Sequence, residues 1–438
     1  MGTRPFVYSY DKKTSYEGSL KSDNLTHIPS PQGHSEIWIY GWGKSQFTSL
    51  TFQGYRRVHI LASDQPDLSK CLLMNSCFKG VTLDGDLSYW DVSNVMDMSN
   101  MFRESGFNGD ISRWDVRNVT DMSGMFLLSQ FNGDISSWNV SKVTDMSYMF
   151  YNSQFDRDIS SWNVSNVTDM NSMFMCSRFN REISSWDVST VKNMNSMFMY
   201  SLFNGDISHW DVSKVTDMNC MFSDSQFNGD ISSWKVANVT YMSYMFSDSQ
   251  FNGDISSWDV CNVEDMRSMF SRSQFNGDIS RWDVSNVTDM SCMFWGSGFN
   301  GDISSWDVCN VKDMRSMFSE SEFNGDISSW VINNTSDLGI PRPSYRSITP
   351  NHLPECQSKD ELFNDHCPIC NALDVDVNLL LVSKCRHVIC LDCFNSLEQP
   401  HRCPLCRSAF RAVSKISIRS DITSPVIDES RSYHSKSE

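Results

Sequence analysis

Tryptophan recurs every 24 residues through the middle of this 438-residue chain, at Trp90, Trp114, Trp138, Trp162, Trp186, Trp210, Trp234, Trp258, Trp282, Trp306 and Trp330. A fixed period of this length marks a repeat array, and it constrains the fold more than any local propensity does. The unit reads Phe-Asn-Gly-Asp-Ile-Ser-Ser-Trp-Asp-Val-Ser-Asn-Val-Thr-Asp-Met-Ser-x-Met-Phe-x-x-Ser-Gln, with residues 251–274 a fair example. Ten full units run from Leu83 to Glu322, and a partial eleventh runs from Phe323 to Asn334. In the example copy the apolar positions are Phe251, Ile255, Trp258, Val260, Val263, Met266, Met269 and Phe270. That set is too small to bury a core alone, but stacked units bury it against their neighbours, which is the logic of a solenoid.

Trp258 and Val260 are two apart, as on one face of a short strand. Met266, Met269 and Phe270 are spaced i, i+3, i+4, as on one helical turn. Asn-Gly-Asp and Ser-Asn carry turn chemistry. Each coil is therefore predicted to hold a short strand, a turn, a second extended piece and a short helix or 3₁₀ turn. A long amphipathic helix is excluded by the Gly and Asn that recur at the 24-residue period, and a four-stranded propeller blade does not fit in 24 residues. At ~4.8 Å per coil, ten coils make a rod of roughly 50 Å.

The unit resembles the DUF285 repeat, first described in mycoplasma proteins, and is similar to the leucine-rich repeats of BspA-like surface proteins. Val-Thr-Asp-Met-Ser-x-Met-Phe followed by Asp-Ile-Ser-Ser-Trp-Asp-Val carries the resemblance. It implies a leucine-rich-repeat-like solenoid, and protein binding only in general terms.

The whole chain carries 36 Lys+Arg against 53 Asp+Glu, a net charge of −17. Residues 83–334 hold 34 acidic and 15 basic side chains, or −19, which leaves +2 elsewhere. Nucleic-acid binding through the overall field is not expected of so acidic a protein. No apolar run approaches the ~18 residues of a membrane span, so no membrane partner is expected either. The first residues lack the apolar core of a secretory signal, and Phe6 breaks the myristoylation pattern.

One acidic position recurs as Asp86, Asp110, Asp134, Asp158, Asp206, Asp230, Asp254, Asp278, Asp302 and Asp326. At ~4.8 Å its members repel by nearly 1 kcal/mol per pair even in water. The row reads either as a calcium ladder or as a solvated turn edge capping backbone amides, and the second reading carries more weight. Arg157 and Arg181 replace the unit's Gly on adjacent coils and form a basic notch, read as drift ahead of a partner site. The Asn-Val-Thr tripeptides at Asn118, Asn166, Asn238 and Asn286 read as turns, and Cys176, Cys220, Cys261, Cys292 and Cys309 as small-residue replacements. Residues 1–82 read as an N-terminal cap region, with strands within 35–60 and a degenerate unit at 67–78. Residues 335–363, with Pro341, Pro343, Pro350 and Pro354, read as a linker, and residues 412–438 as a disordered tail.

Between these lies a second motif: Cys367-x2-Cys370-x14-Cys385-x-His387-x2-Cys390-x2-Cys393-x9-Cys403-x2-Cys406. Zinc takes four thiolate or imidazole ligands, so eight make two closed, structural Zn²⁺ sites per chain. So small a segment, 364–411, needs such metals to fold. The order and spacing resemble the C3HC4 RING finger; a PHD finger has its histidine fifth, whereas here it is fourth. The resemblance implies interleaved sites, Cys367, Cys370, Cys390 and Cys393 on one zinc and Cys385, His387, Cys403 and Cys406 on the other. It implies an E3 ubiquitin ligase that binds a ubiquitin-loaded conjugating enzyme, E2. Ile369, Leu397, Pro404 and Leu405 match the E2-contacting positions, with Leu397 where many members have Trp. Arg407 matches the linchpin cation that holds the thioester. The chain is accordingly expected to act inside a eukaryotic cell, in the cytoplasm (of the host if the source is viral), with the solenoid recruiting a protein substrate. The alternative is a non-catalytic scaffold whose RING only docks.

Overall fold

The computed structural model describes residues 34–332 continuously, together with 6–10, 12, 16–17 and 28 and the backbones of four later strands. The N-terminal part is a five-stranded sheet of β1 (Val7–Ser9), β2 (Tyr16–Glu17), β3 (Glu36–Gly41), β4 (Arg57–Ile60) and β5 (Thr82–Asp84), in the order β2-β1-β3-β4-β5. β3, β4 and β5 run parallel, while β1 pairs antiparallel with both β2 and β3. Ile37 and Ile39 alternate inward along β3 and are fully buried, as a half-covered sheet requires. Trp42 closes this end edge-on against Trp90, with ring centroids 5.4 Å apart.

From here the chain stacks in 24-residue coils. After a first parallel bridge, Gln46↔Asp67, sheet pairing shrinks to one parallel bridge per coil: Ser49↔Leu73, Leu73↔Asp97, Asp97↔Asp121 and so on to Asp289↔Asp313. The degenerate unit at 67–78 thus enters the same register as its successors. Among the described residues there is no helix. The Met-x-x-Met-Phe stretch forms a train of tight turns in which backbone donors alternate. The N–H groups of Met98, Asn100, Phe102 and Glu104 donate along the stack to the carbonyls of Asp121, Ser123, Met125 and Leu127, at 2.7–3.0 Å. Those of Met101, Arg103 and Ser105 donate back within the coil to Met98, Asn100 and Phe102, at 3.1–3.2 Å. The predicted helical turn fails for a physical reason. A helix satisfies every donor locally, four residues back, whereas this segment ties half of its donors to the next coil. The Trp-x-Val piece forms turns as well, with Trp258 N–H donating to Ile255 and Val263 N–H to Val260.

Each turn train holds two residues at φ between about +47° and +69°, most of them not glycine: Asn100 and Glu104, Tyr148 and Asn152, Cys220 and Asp224. Such a backbone costs an L-residue roughly 1–2 kcal/mol, a cost offset by the inter-coil hydrogen bonds. Leu128→Gly relieves that strain at an exposed site and should stabilise the chain by about 0.5–1 kcal/mol, net of glycine's extra chain entropy. A urea melt checks this; a loss of stability would mean that the leucine side chain outweighs its backbone.

Side chains stack in columns behind this backbone. One phenylalanine column runs from Phe78 to Phe318 with centroids 5.6–5.9 Å apart between neighbours. A second runs from Phe107 to Phe323 at 6.2–6.5 Å. Rings of the two columns meet at 4.2–4.7 Å, for example Phe198 against Phe203 at 4.3 Å. Each Trp from Trp114 to Trp330 donates its Nε1–H to the carbonyl 27 residues earlier, as Trp210 does to Ile183 at 3.2 Å. The indole's polar edge is thereby satisfied inside the core.

Further along, β6 (Leu379–Val382), β7 (Val388–Cys390), β8 (Val413–Ser417) and β9 (Val426–Ser432) form a separate antiparallel sheet in the order β7-β6-β8-β9. Two of these strands, β8 and β9, lie in the segment expected from composition to be disordered.

Candidate interaction face

The coil's corners are built by short polar side chains. In the first acidic row, Asp86 to Asp326, each Oδ1 accepts the N–H of the serine two residues on, at 2.8–3.0 Å. A second corner does the same at Asp91, Asp115, Asn139, Asn163 and their successors. A third uses the bridge position at Asp97, Asp121, Asp145, Asp169 and Asn193. These are Asx turns, the local bonding that Asp and Asn offer a backbone leaving regular structure. The turn-edge reading of the first row therefore matches the geometry. Among the described residues no group of three His, Cys, Asp or Glu side chains is placed to hold a metal ion.

The same bonds set the electrostatics. Hydrogen bonds from the serine two residues on, chiefly its backbone N–H, hold the carboxyls of Asp110, Asp134, Asp158, Asp206, Asp230, Asp278, Asp302 and Asp326 below their usual range. At Asp254 the serine hydroxyl leads. Groups depressed in the folded state stabilise it above their unfolded value, about 3.9, and that stability is lost as pH falls through the folded values. Asp169 and Asp265 are shifted upward, mainly by burial, and act in the opposite sense. The more numerous depressed groups dominate, so the melting temperature should hold from pH 7 to about 5 and fall below about 4. Millimolar calcium should move it little; a rise of about 10 °C or more would instead make the row a calcium array.

An asparagine ladder runs beside the first acidic row. Oδ1 of Asn108 accepts the N–H of Asn132, and the pattern continues through Asn204, Asn228 and Asn252 to Asn324. Asp156 takes an asparagine's place in it, its N–H donating to Asn132 Oδ1 at 3.0 Å, and also pairs with Arg181 through two bonds, Nε to Oδ1 at 3.0 Å and Nη2 to Oδ2 at 2.8 Å. Arg157 donates to the carbonyl of Asn132 at 3.0 Å. The notch is thus half neutralised from within, which favours drift with compensation over a basic partner site. Nδ2 of Asn118, Asn166, Asn238 and Asn286 donates to a carbonyl of the preceding coil, so these side chains are structural. Cys176, Cys220, Cys261, Cys292 and Cys309 form no disulfide among the described residues and are half-buried.

The unit's variable positions fall on the turn train, on the outer side of the Met and Phe columns. The first and third x of the consensus are the left-handed residues, Tyr148 and Asn152 in one coil, and their side chains stand outward. Leu128, Tyr148, Tyr200 and Tyr244 are all exposed there, and Leu202, at the unit's final Gln position two residues after Tyr200, is exposed as well. Strained backbone and free side chain coincide because the corner bonds and the aromatic columns have already fixed the rest of the coil. This face was missed from the sequence; comparing the units with one another supplies the signal, since the copies differ chiefly here.

The ligand and E2-contact positions of the cysteine motif, Cys367, Ile369, Cys370, Cys385, His387, Cys393, Leu397, Cys403, Pro404, Leu405, Cys406 and Arg407, lie outside the described residues. Of Cys390 the backbone alone is described, as the last residue of β7.

No curated protein and no solved structure matches the chain. The family described as "Mycoplasma protein of unknown function, DUF285" matches it six times, at residues 48–155, 72–177, 127–201, 151–251, 175–274 and 248–339. Those matches span 48–339, about two thirds of the sequence. They begin at the coil where the bridges in 24-residue register begin, at Ser49, and the chain belongs to the DUF285 family.

Proposed function

We propose that this protein is a RING-type E3 ubiquitin ligase that holds a ubiquitin-loaded E2 through residues 364–411 and recruits its protein substrate on the repeat solenoid. The observation that carries the reading is the run of seven cysteines and one histidine in RING order, with Ile369, Pro404, Leu405 and Arg407 at the E2-facing positions. The antiparallel pairing of β6 with β7, Leu379 opposite Cys390, also supports it, because the sequence between these strands carries Cys385 and His387. Cys367, Cys370, Cys390 and Cys393 would hold one structural Zn²⁺ and Cys385, His387, Cys403 and Cys406 a second, which would tie the segment together without entering the reaction. The chain supplies proximity: with the thioester pinned, a lysine amine attacks its carbonyl and the E2 cysteine leaves as thiol. No covalent ubiquitin adduct forms on this protein. The reading places it in the cytoplasm of a eukaryotic cell, native or host; no helix among the described residues is long and apolar enough to cross a membrane.

The test is discharge of ubiquitin from a panel of loaded E2s onto free lysine by the full chain. Acceleration with at least one E2 is the expected result. Inertness with all of them would make the protein a scaffold whose cysteine motif only docks.

A further inference from the structure

We infer that the outer face of coils 121–202 docks an extended segment of a partner protein in which basic and apolar side chains alternate. The inference rests on the recruiting role proposed above and adds the chemistry of what is recruited.

Leu128, Tyr148, Tyr151, Met175, Tyr200 and Leu202 stand on this face. Leu128, Tyr148, Tyr200 and Leu202 are 39%, 42%, 52% and 45% exposed. Their columns are locked side by side by the backbone: Leu128 N–H donates to the Tyr151 carbonyl, Asn152 to Met175 and Cys176 to Met199, each at 2.8 Å. Exposed apolar groups gathered this way mark an interaction surface. The third acidic corner flanks them, with Asp145 three residues before Tyr148. Among the described residues no ion pair reaches Asp121, Asp145 or Asp169.

The later coils show what such a face takes. There Arg267 and Arg315 pair with the row's own Asp265 and Asp313. The Arg267 guanidinium lies 5.9 Å from the ring centroid of Tyr244, and that of Arg272 lies 5.0 Å from Trp295. In those coils the chain supplies cations to its own carboxylates and aromatic faces. In coils 121–202, among the described residues, no cation of the chain pairs with the carboxylates of that row or lies over its tyrosines, and Arg178, at Leu202's repeat position one coil earlier, makes neither contact, so a partner's Lys or Arg takes that place while its apolar residues cover Leu128 and Leu202. A second copy is disfavoured by the net charge of −17.

The probe is a fluorescent dodecapeptide of alternating Lys and Leu, titrated into the full-length protein and compared with its Glu-Leu and Lys-Ser twins. Tyr148→Asn with Tyr200→Asn removes the aromatic faces. Asn100 and Asn152 already occupy these two left-handed positions in other coils, so the fold is retained. Asp145→Asn with Asp169→Asn removes charge while keeping the corner, as Asn193 does natively. Each pair should weaken Lys-Leu binding tenfold or more, and added salt should weaken it steeply. Both twins should bind at least tenfold more weakly, and Tyr241→Ser, outside the patch, should leave affinity unchanged. Equal binding by both variant pairs or by the Glu-Leu twin, a vesicle-binding activity lost in the tyrosine pair, or a dimer lost in that pair would overturn the inference. Discharge onto free lysine does not use this face, so failure here and failure of the ligase reading remain distinguishable.

Discussion

Ile369→Ala should abolish ubiquitin discharge, because it removes the apolar side chain proposed to anchor the E2. Arg407→Ala should behave differently. E2 affinity should stay within about twofold while single-turnover discharge slows tenfold or more, because a group that acts on the reactive pose contributes more to the transition state than to the ground-state complex. Affinity and discharge measured side by side on both variants separate the two roles. Wild-type discharge by Arg407→Ala with several E2s would remove the linchpin assignment. Elemental analysis should find two zinc ions per chain. Chelation should abolish discharge and leave the repeat array's melting transition in place, since metal-binding free energy is folding free energy for so small a segment.

Phe198→Ala should cost about 3–5 kcal/mol, the range for deleting a buried aromatic. Phe198 touches Phe174, Phe203, Trp210 and Phe222, with centroids 4.3–6.3 Å away. The effect should also change the shape of unfolding. Each coil contacts only its neighbours, so a weak coil in the middle divides the array into two cooperative blocks. Urea melts followed by tryptophan fluorescence should show one transition in the wild type and two in the variant. A cost under about 1 kcal/mol would mean that the backbone bonds, rather than the aromatic columns, hold the stack.

The period, the inward-facing residues and the corner role of Asp86 to Asp326 were legible in the sequence, because each depends on chemistry repeated at a fixed spacing. The helical turn at Met266, Met269 and Phe270 was misread because i, i+3, i+4 spacing places side chains on one side in a helix and in an alternating turn train alike. What separates the two is where the backbone donors go, and that depends on a coil 23 residues away. The Arg181–Asp156 pair was hidden for a related reason: the two residues lie 25 apart and meet only once coils are stacked. The exposed outer face escaped because most of its positions were written as x, the symbol for having no pattern.

Strict register has a genetic consequence. A donor at residue n finds its acceptor at n+23, and each indole finds its carbonyl at n−27. Unequal crossing-over between near-identical 24-residue stretches adds or removes whole coils, and every such product regenerates the same bonds at the junction. A shift by any other number would leave a row of amides and indoles unmatched. Array length can therefore drift between generations with little effect on stability per coil, while the reach of the outer face, and the order of the side chains along it, changes by one cassette at a time.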